Sequence, residues 1–188
     1  MRKVMQLWSG LLQIYIEHFN AQRTIDISKR PFSSLEELNK TLISNWNKTV
    51  SKDDIVYILG DFGDLFYAKF LNGKKYFIKG NYERNHYSDE ELKKYFDVVC
   101  PTDVVYIPVE YNGRLYHLSL THEPMNLDGN AKTPDSLGLY GHIHKLCMVK
   151  KYGINVGADL HYFTPIGMDT ILFYHNAALH YYDDNVFY

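Results

Sequence analysis

The chain has 188 residues, of which 46% are hydrophobic and 22% charged, a composition that is typical of globular proteins and excludes an intrinsically disordered chain. Its 20 Lys and Arg against 22 Asp and Glu give a formal charge of −2, which excludes a basic field over the whole surface, so any nucleotide must be held by a local site. The two cysteines, Cys100 and Cys147, are too few for a disulfide framework or a four-thiolate zinc site, which favours a reducing, cytoplasmic location. The longest apolar tract, Leu11 to Ile16, is far shorter than the roughly 20 residues that span a bilayer, so we expect no membrane segment.

The first half of the chain predicts strands that alternate with helices. Ser33 and Ser34 precede Glu36 and Glu37 by three residues, which is a capping-box pattern that predicts the start of a helix. Short β-branched or aromatic runs that end in glycine predict strands that are buried on both faces. In chain order, we predict a strand at Leu11 to Phe19, a helix at Leu35 to Trp46, a strand at Ile55 to Leu59, a short helix around Asp64 to Leu71, a strand at Tyr76 to Ile78 and a helix after Ser88 that reaches Phe96.

The second half of the chain predicts mostly antiparallel strands. Asn112-Gly113 separates the alternating runs Val105 to Glu110 and Leu115 to Leu120, and Asn-Gly at such a place is the strongest short-range signal of a hairpin. This element order implies one α/β domain over residues 1–188, with a mixed sheet or two sheets packed together. Further strands are predicted at Gly138 to Tyr140, Ile154 to Val156 and Thr170 to Tyr174.

Asp, Asn and His residues directly follow several of the apolar runs. In α/β folds, ligands bind where the strands end, and a neighbouring glycine lets the backbone turn sharply and approach a bound group. Each of these polar positions is a weak signal by itself, but together they predict a site at the strand ends. The five segments are Glu17-His18-Phe19, Gly60-Asp61, Gly80-Asn81, Thr121-His122-Glu123 and Gly141-His142-Ile143-His144.

The residue types in these segments are typical of a metal site. His142 and His144 are two positions apart, so in extended backbone both rings lie on one side, which suits one metal ion or two adjacent ions. The other segments add imidazole, carboxylate and amide ligands without sulfur, a set that suits Mn²⁺, Fe²⁺, Zn²⁺ or Ni²⁺. Two such ions about 3.5–4 Å apart are what phosphate-ester hydrolysis uses, because they generate a hydroxide and neutralise the charge of the transition state.

The same segments resemble the calcineurin-like metallophosphoesterase superfamily, and in particular its small bacterial and phage branch. The family pattern is Asp-x-His, Gly-Asp-x-x-Asp, Gly-Asn-His-Asp/Glu, a His and Gly-His-x-His. The resemblance spans about His18 to Ile171 and implies a fold of mixed β-sheets packed as a sandwich and flanked by helices. The matching segments are Ile16-Glu17-His18, Gly60-Asp61-Phe62-Gly63-Asp64, Gly80-Asn81-Tyr82-Glu83, His122 and Gly141-His142-Ile143-His144, with Lys29-Arg30-Pro31-Phe32 and Asn155-Val156-Gly157 also similar to that branch.

The resemblance implies a hydrolase with two divalent metal ions, for which Mn²⁺ is the expected metal and Fe²⁺, Zn²⁺ or Ni²⁺ are alternatives. Site one would be held by His18, Asp61 and His144. Site two would be held by Asp61, Asn81, His122 and His142, so that Asp61 bridges the two ions. The expected substrate is a phosphodiester of a nucleotide or a nucleic-acid end, and no membrane or protein partner is implied. The implied catalytic residues are Asp61, Asn81, His122, Tyr82 and Arg84.

Two positions depart from the family pattern. Ile16 stands where the family has the first Asp, and it cannot bind a metal, so we expect site one to be weakened. Tyr82 stands where many members have a His, and a phenol with a reference pKa of about 10 is a poorer acid at neutral pH. The chain is therefore either a slow phosphodiesterase or a degenerate member that binds metal or nucleotide with little turnover. A separate explanation for the missing Asp is that residues 1–17, an atypical segment, are not the natural N-terminus.

The residues around these motifs allow both functional and structural interpretations. Arg84 is expected either to clamp a phosphate or to be solvated, and His86 either to replace the missing imidazole or to have no role. Glu83 would orient its neighbours, while Asp64 is expected to be structural. Asp159 would either border the cleft or lie on the surface, and the same alternatives hold for His161.

Overall fold

The structure is a computed structural model that describes residues 12–15, 18–127, 133–150 and 153–181. Ile16 and Glu17, on which the prediction of a weakened site one depends, lie outside the described residues. The described chain forms two five-stranded sheets with flanking helices, which confirms the predicted mixed α/β class. Within these ranges, no helix combines the length and the apolar character needed to cross a membrane.

The first sheet contains four parallel strands and one antiparallel edge strand, in the order β10-β1-β2-β3-β4. Strand β2 has the predicted bounds, and it is buried on both faces: Val56 and Ile58 pack towards the helices, while Leu59 packs towards the second sheet. The strands are β1 (Leu12–Tyr15), β2 (Ile55–Leu59), β3 (Lys74–Ile78), β4 (Val98–Val99) and β10 (Ile166–Gly167).

The second sheet has the order β5-β6-β7-β9-β8. Its β5–β6 hairpin turns at Asn112-Gly113, both with positive φ, which confirms the predicted hairpin. Strands β6, β7 and β9 are parallel, and β8 pairs antiparallel with β9. The strands are β5 (Val104–Tyr111), β6 (Arg114–Thr121), β7 (Ser136–Tyr140), β8 (Val149–Lys150) and β9 (Gly153–Asn155).

In the part of the chain that the structure describes, five α-helices connect or cover these strands. Helix α2 begins where the capping pattern predicts: the Ser34 hydroxyl accepts a hydrogen bond from the Glu37 amide at 3.1 Å, and the Glu37 carboxylate accepts one from the Ser33 amide at 2.8 Å. Helix α1 was not predicted, because no side chain caps it. The helices are α1 (Gln22–Ser28), α2 (Leu35–Thr49), α3 (Asn81–His86), α4 (Asp89–Leu92) and α5 (Met168–Tyr181), with 3₁₀ turns at Leu65–Phe70, Pro124–Asn126 and Ala158–Leu160.

Three predictions about helices and strands need correction. The second sheet is not mostly antiparallel, because β6 pairs with β7 and β7 pairs with β9 in parallel, while the β5–β6 and β8–β9 pairs are antiparallel. The predicted strand at Thr170 to Tyr174 is wrong, because these residues lie in α5. Its apolar and aromatic run is typical of a strand, but the buried positions Met168, Ile171 and His175 recur every three or four residues, which is helical spacing. The helix after Ser88 begins as predicted but ends at Leu92, and irregular turns rather than a helix carry the chain to Phe96.

Two apolar layers fix the positions of the strands. One lies between the first sheet and its helices, with Trp46, Phe62 and Phe77 fully buried in it. The other lies between the two sheets and also contains side chains of α5. In this layer, Leu59 of the first sheet faces the second sheet, and Leu120 of the second sheet faces the first. Because the two sheets pack face to face, the carboxyl ends of β2 and β3 meet the carboxyl ends of β6 and β7 at one edge of the molecule.

Candidate metal centre

Four side chains from four strand ends converge at this edge. Asp61 follows β2, Asn81 follows β3, His122 follows β6 and His142 follows β7. Asp61, His122 and His142 each offer a ligand atom, and these atoms lie within 4.8 Å of one another, while Asn81 lies in contact with both imidazoles. We call these four residues the four-ligand cluster.

The distances within the four-ligand cluster match those of ligands that share one ion. His122 Nε2 lies 3.3 Å from Asp61 Oδ2, 2.9 Å from Asn81 Oδ1 and 3.1 Å from His142 Nδ1. Asn81 Oδ1 also lies 3.0 Å from His142 Nδ1. Ligand atoms bound to one ion at about 2.1 Å lie roughly 3.0–3.4 Å apart. The four residues can therefore hold one metal ion with little movement.

The hydrogen bond on the far side of His122 determines which nitrogen is available to a metal. His122 Nδ1 lies 2.8 Å from the Leu59 carbonyl oxygen, which can only accept, so Nδ1 carries the proton. Nε2 then presents a lone pair to the carboxylate of Asp61 and the amide oxygen of Asn81. Lone pairs at such distances repel each other unless a proton or a cation lies among them. The arrangement therefore favours a proton or a bound cation between these atoms.

The titration of the cluster follows from the same contacts. Burial by itself would raise the pKa of Asp61, but hydrogen bonds and positive charge from His122 and His18 hold that pKa far below its usual range. Burial disfavours the charged form of His122, but the Asp61 carboxylate outweighs burial and raises the pKa of this ring. Burial and the charge of His122 lower the pKa of His142. The cluster therefore keeps one ionised carboxylate and has a single ring, His122, on which a proton is favoured.

Two glycines allow the strand ends to approach each other. Gly60 has φ +77°, and a Cβ there would lie 2.4 Å from the Gly80 nitrogen, while a Cβ on Gly80 would lie 2.6 Å from Asp61 Oδ1. Asp61 itself has φ 51°, in the left-handed region that few non-glycine residues adopt. The predicted role of these glycines, to let the backbone turn and come close, agrees with this geometry.

Glu83 stabilises the loop that carries Asp61. Its side chain is fully buried and accepts hydrogen bonds from the backbone amides of Asp61 at 2.8 Å, Phe62 at 2.8 Å and Gly80 at 3.1 Å. Burial and the negative charge of Asp61 raise the pKa of Glu83, against the effect of the three amides. Asp64, by contrast, caps the turn Leu65–Phe70 by accepting from the Phe66 amide, which is a structural role.

His18 and His144 form a second group of imidazoles next to Asp61. His18 Nε2 is 3.4 Å from Asp61 Oδ2, and its ring stacks on the His144 ring with centroids 5.4 Å apart. Both rings line one pocket together with Asp61 and His142. Within the described residues, the only group of three or more His, Cys, Asp or Glu ligand atoms within 4.8 Å of one another is Asp61, His122 and His142. His144 therefore lies near the four-ligand cluster but is not one of its members.

The backbone at the two histidines differs from the sequence-based expectation. His142 and His144 both have positive φ, 66° and 50°, and they lie in a loop after β7 rather than in extended backbone. The expectation that both rings lie on one side of extended backbone is therefore wrong, because neither residue lies in a strand. His142 instead contacts Asn81, while His144 Nδ1 lies 3.5 Å from Asp159 Oδ2.

Asp159 and Arg30 are site residues to which the sequence analysis assigned no clear role. Both line the pocket beside His144, which places Asp159 at the cleft rather than on the surface. Arg30 donates to both carboxylate oxygens, from Nε at 2.8 Å and from a terminal nitrogen at 2.9 Å. His161 is also buried but donates from Nε2 to the Asn155 carbonyl, away from the cluster. The sequence signal for Arg30 and Asp159 was the similarity to the family branch of Lys29-Arg30-Pro31-Phe32, which contains Arg30, and of Asn155-Val156-Gly157, which ends two residues before Asp159.

The remaining predicted catalytic residues have partners outside the cluster. The Tyr82 ring stacks on His86 at 4.2 Å and lies edge-on to the Tyr87 ring at 6.2 Å, although its backbone amide donates to Asp61 Oδ1 at 3.2 Å. Arg84 pairs with Asp103 at 3.2 Å and with Glu123. A phosphate contact from Arg84 would therefore require it to leave two carboxylates.

The fold and the site define a two-sheet α/β protein with a His, Asp and Asn cluster that can hold a metal ion. No family model matches the sequence. The uncharacterized protein MJ1445 of Methanocaldococcus jannaschii is 33% identical over 178 residues, which cover 82% of this chain and 85% of that protein. The chain therefore belongs to the same family as MJ1445. The crystal structure of AQ665, a protein of unknown function from Aquifex aeolicus, has the same fold: the TM-score is 0.60 at 22% identity, covering 86% of this chain and 97% of that one.

Proposed function

We propose that this protein is a calcineurin-like metallophosphoesterase that hydrolyses phosphodiesters, with a nucleotide or a nucleic-acid end as the expected substrate. The observation that carries the proposal is the convergence of four lone-pair ligands, from Asp61, Asn81, His122 and His142, at the carboxyl ends of four strands. The order Gly-Asp, Gly-Asn, His and Gly-His-x-His in the sequence supports the same conclusion.

The residues of the chain would have separate roles in this reaction. Asp61 and the three other cluster residues would hold one divalent ion, and Asp61 with His18 and His144 would hold a second, weaker one; Mn²⁺ is the expected metal. Bound divalent ions lower the pKa of water and neutralise charge on a phosphoryl group. Glu83 would keep Asp61 in position through the backbone amides it accepts from. His122 is held in one tautomer by the Leu59 carbonyl and so needs no reorientation to bind.

Hydrolysis of bis-p-nitrophenyl phosphate with and without Mn²⁺ tests the proposal. We expect Mn²⁺-dependent turnover in the wild-type protein and its loss in Asp61→Asn. Asp54→Asn is the matched control, because Asp54 is equally buried but lies at the opposite end of β2, where it accepts from the Ser51 amide. Turnover without added metal, or equal turnover in both variants, would contradict the proposal.

A degenerate member that binds metal without turnover is the second candidate. Two observations favour it: Ile16 replaces a metal-binding Asp in the sequence, and the Tyr82 side chain contacts His86 and Tyr87 instead of the cluster. Calorimetry with Mn²⁺ separates the two candidates. Tight binding of Mn²⁺ together with no hydrolysis of the diester by wild type would favour the degenerate member.

A further inference from the structure

A buried ion pair lies behind His144. The side chains of Arg30 and Asp159 are 2% and 5% exposed, and they form a two-point contact between residues 129 positions apart in the sequence. Planar, two-point Arg–carboxylate contacts leave the carboxylate little freedom to rotate. Asp159 is therefore a fixed acceptor in the wall of the pocket.

Three contacts hold His144 in place. Its Nδ1 lies 3.5 Å from Asp159 Oδ2, its ring stacks on His18, and its backbone carbonyl accepts a hydrogen bond from Asn155 Nδ2 at 2.8 Å. The last contact also supports the left-handed backbone at His144, where φ is 50°. Because the two nitrogens of an imidazole point in nearly opposite directions, a proton shared with Asp159 leaves the lone pair of Nε2 directed away from it.

We infer that the Arg30–Asp159 pair is a positioning device that fixes the tautomer and the orientation of His144 as a ligand of the second metal ion. The inference rests on the proposed function, since it requires that ion. Metal-binding histidines generally donate a hydrogen bond from the N–H of the other ring nitrogen to a carboxylate, a backbone carbonyl or a water, and loss of that partner typically lowers metal affinity by about 10–100-fold. Arg30 acts through Asp159, and neither residue is assigned a contact with substrate.

Calorimetric titration with Mn²⁺ of wild type, Asp159→Asn, His144→Ala and the double variant tests the inference, with Asp54→Asn as a matched control. We expect wild type to bind two ions, the second more weakly. Asp159→Asn should weaken the second ion by at least about tenfold and leave the first unchanged. Adding Asp159→Asn to His144→Ala should cause no further loss, since Asp159 acts only through the imidazole that His144→Ala removes. Asp54→Asn should leave both ions unchanged.

Electron paramagnetic resonance gives an independent readout, because two neighbouring Mn²⁺ ions produce a coupled signal that a single ion does not. Wild type with excess Mn²⁺ should show the coupled signal, and Asp159→Asn should show it only at higher Mn²⁺. If Asp159→Asn does not fold, the double change Arg30→Met with Asp159→Leu removes the pair without leaving a buried charge, and the same loss is expected.

The outcomes separate this inference from the proposed function. Unchanged binding of the second ion in Asp159→Asn or in the double replacement would overturn the positioning role and leave the proposed function standing. Binding of only one ion by wild type in excess Mn²⁺ would also overturn the positioning role while the four-ligand cluster remains supported. Absence of any bound ion in wild type would overturn both.

Discussion

Asp61 belongs to two sets of side chains, which we call the two sides of the centre: one is the four-ligand cluster, and the other contains His18, His144 and the Arg30–Asp159 pair. In the cluster, nitrogen and oxygen atoms of His122, Asn81 and Asp61 lie 2.9–3.3 Å apart, so a proton on His122 or a bound cation must lie among them. On the other side, Arg30 already supplies the positive charge that Asp159 requires. The two sides share a carboxylate and a sheet edge, but they differ in the group that balances the carboxylate charge: an imidazole, which can exchange its proton for a metal ion, in the cluster, and an arginine, which is always charged, beside Asp159.

The strongest way to break the cluster is to separate the strand ends that build it. Gly60→Ala places a Cβ 2.4 Å from the Gly80 backbone, which cannot move aside. Gly113→Ala has a similar φ, +74° against +77°, but its Cβ would meet nothing within 4 Å. We expect Gly60→Ala to lower the free energy of unfolding by at least about 3 kcal/mol more than Gly113→Ala, which should cost about 1–2 kcal/mol. Urea denaturation of the metal-free variants measures the difference; equal losses would contradict it.

Replacing single histidines tests whether the two sides hold different ions. His142→Ala removes a ligand atom of the cluster and should weaken the tighter Mn²⁺ ion by more than about 100-fold, which exceeds the effect of losing an indirect partner. His144→Ala should change that ion by less than about tenfold. Both variants should lose diesterase activity and keep the fold, since neither ring belongs to an apolar layer. Metal analysis after dialysis checks this, and near wild-type metal content and turnover in both variants would show that the ligand assignment is wrong.

Removing Glu83 should weaken the fold under the cluster. Glu83→Ala leaves the amides of Asp61, Phe62 and Gly80 without their acceptor, and each buried unsatisfied group costs about 1–3 kcal/mol. We expect a loss of about 3 kcal/mol or more. Asp64→Ala removes one capping contact and should cost about 1 kcal/mol. Thermal and urea unfolding of the two variants compare the losses, and a smaller loss for Glu83→Ala would contradict the support role.

The pH dependence of metal binding should be milder and should report on His122. In the metal-free protein, Asp61 raises the pKa of His122 above its usual 6.5, so a proton competes with the ion as the pH falls below that raised value. Affinity should then fall about tenfold per pH unit, with one proton released per ion. The lowered pKa of His142 delays its competition to more acidic pH. Calorimetry in buffers of different ionisation enthalpy counts the protons, and an affinity that is flat from pH 5 to 8 would exclude histidine ligands.

The parts of this protein that the sequence determined depend on near neighbours. The Ser33 and Ser34 pattern defines the start of α2, and Asn112-Gly113 defines the hairpin, because capping and turn chemistry act within about four residues. Gly60-Asp61 and Gly80-Asn81 directly follow apolar runs, and a glycine at that place is also a local signal, because it lets the backbone turn where the strand ends. The sequence therefore placed the ligand types at the strand ends, and their convergence required that β2 and β3, and likewise β6 and β7, be parallel neighbours and that the two sheets pack face to face.

Only the tertiary structure decided the remaining features, because they depend on partners far away in the chain. Residues Thr170 to Tyr174 have the composition of a strand, and burial against the second sheet makes them part of α5. Arg30 and Asp159 show no local sign of each other across 129 positions. The left-handed backbone of His144 is supported by Asn155, and the long-range contacts of Arg84 direct it to Asp103 and Glu123. The sequence sets which chemical groups are present, but the path of the folded chain sets which groups come into contact. The energy of a charge or a lone pair depends on those contacts.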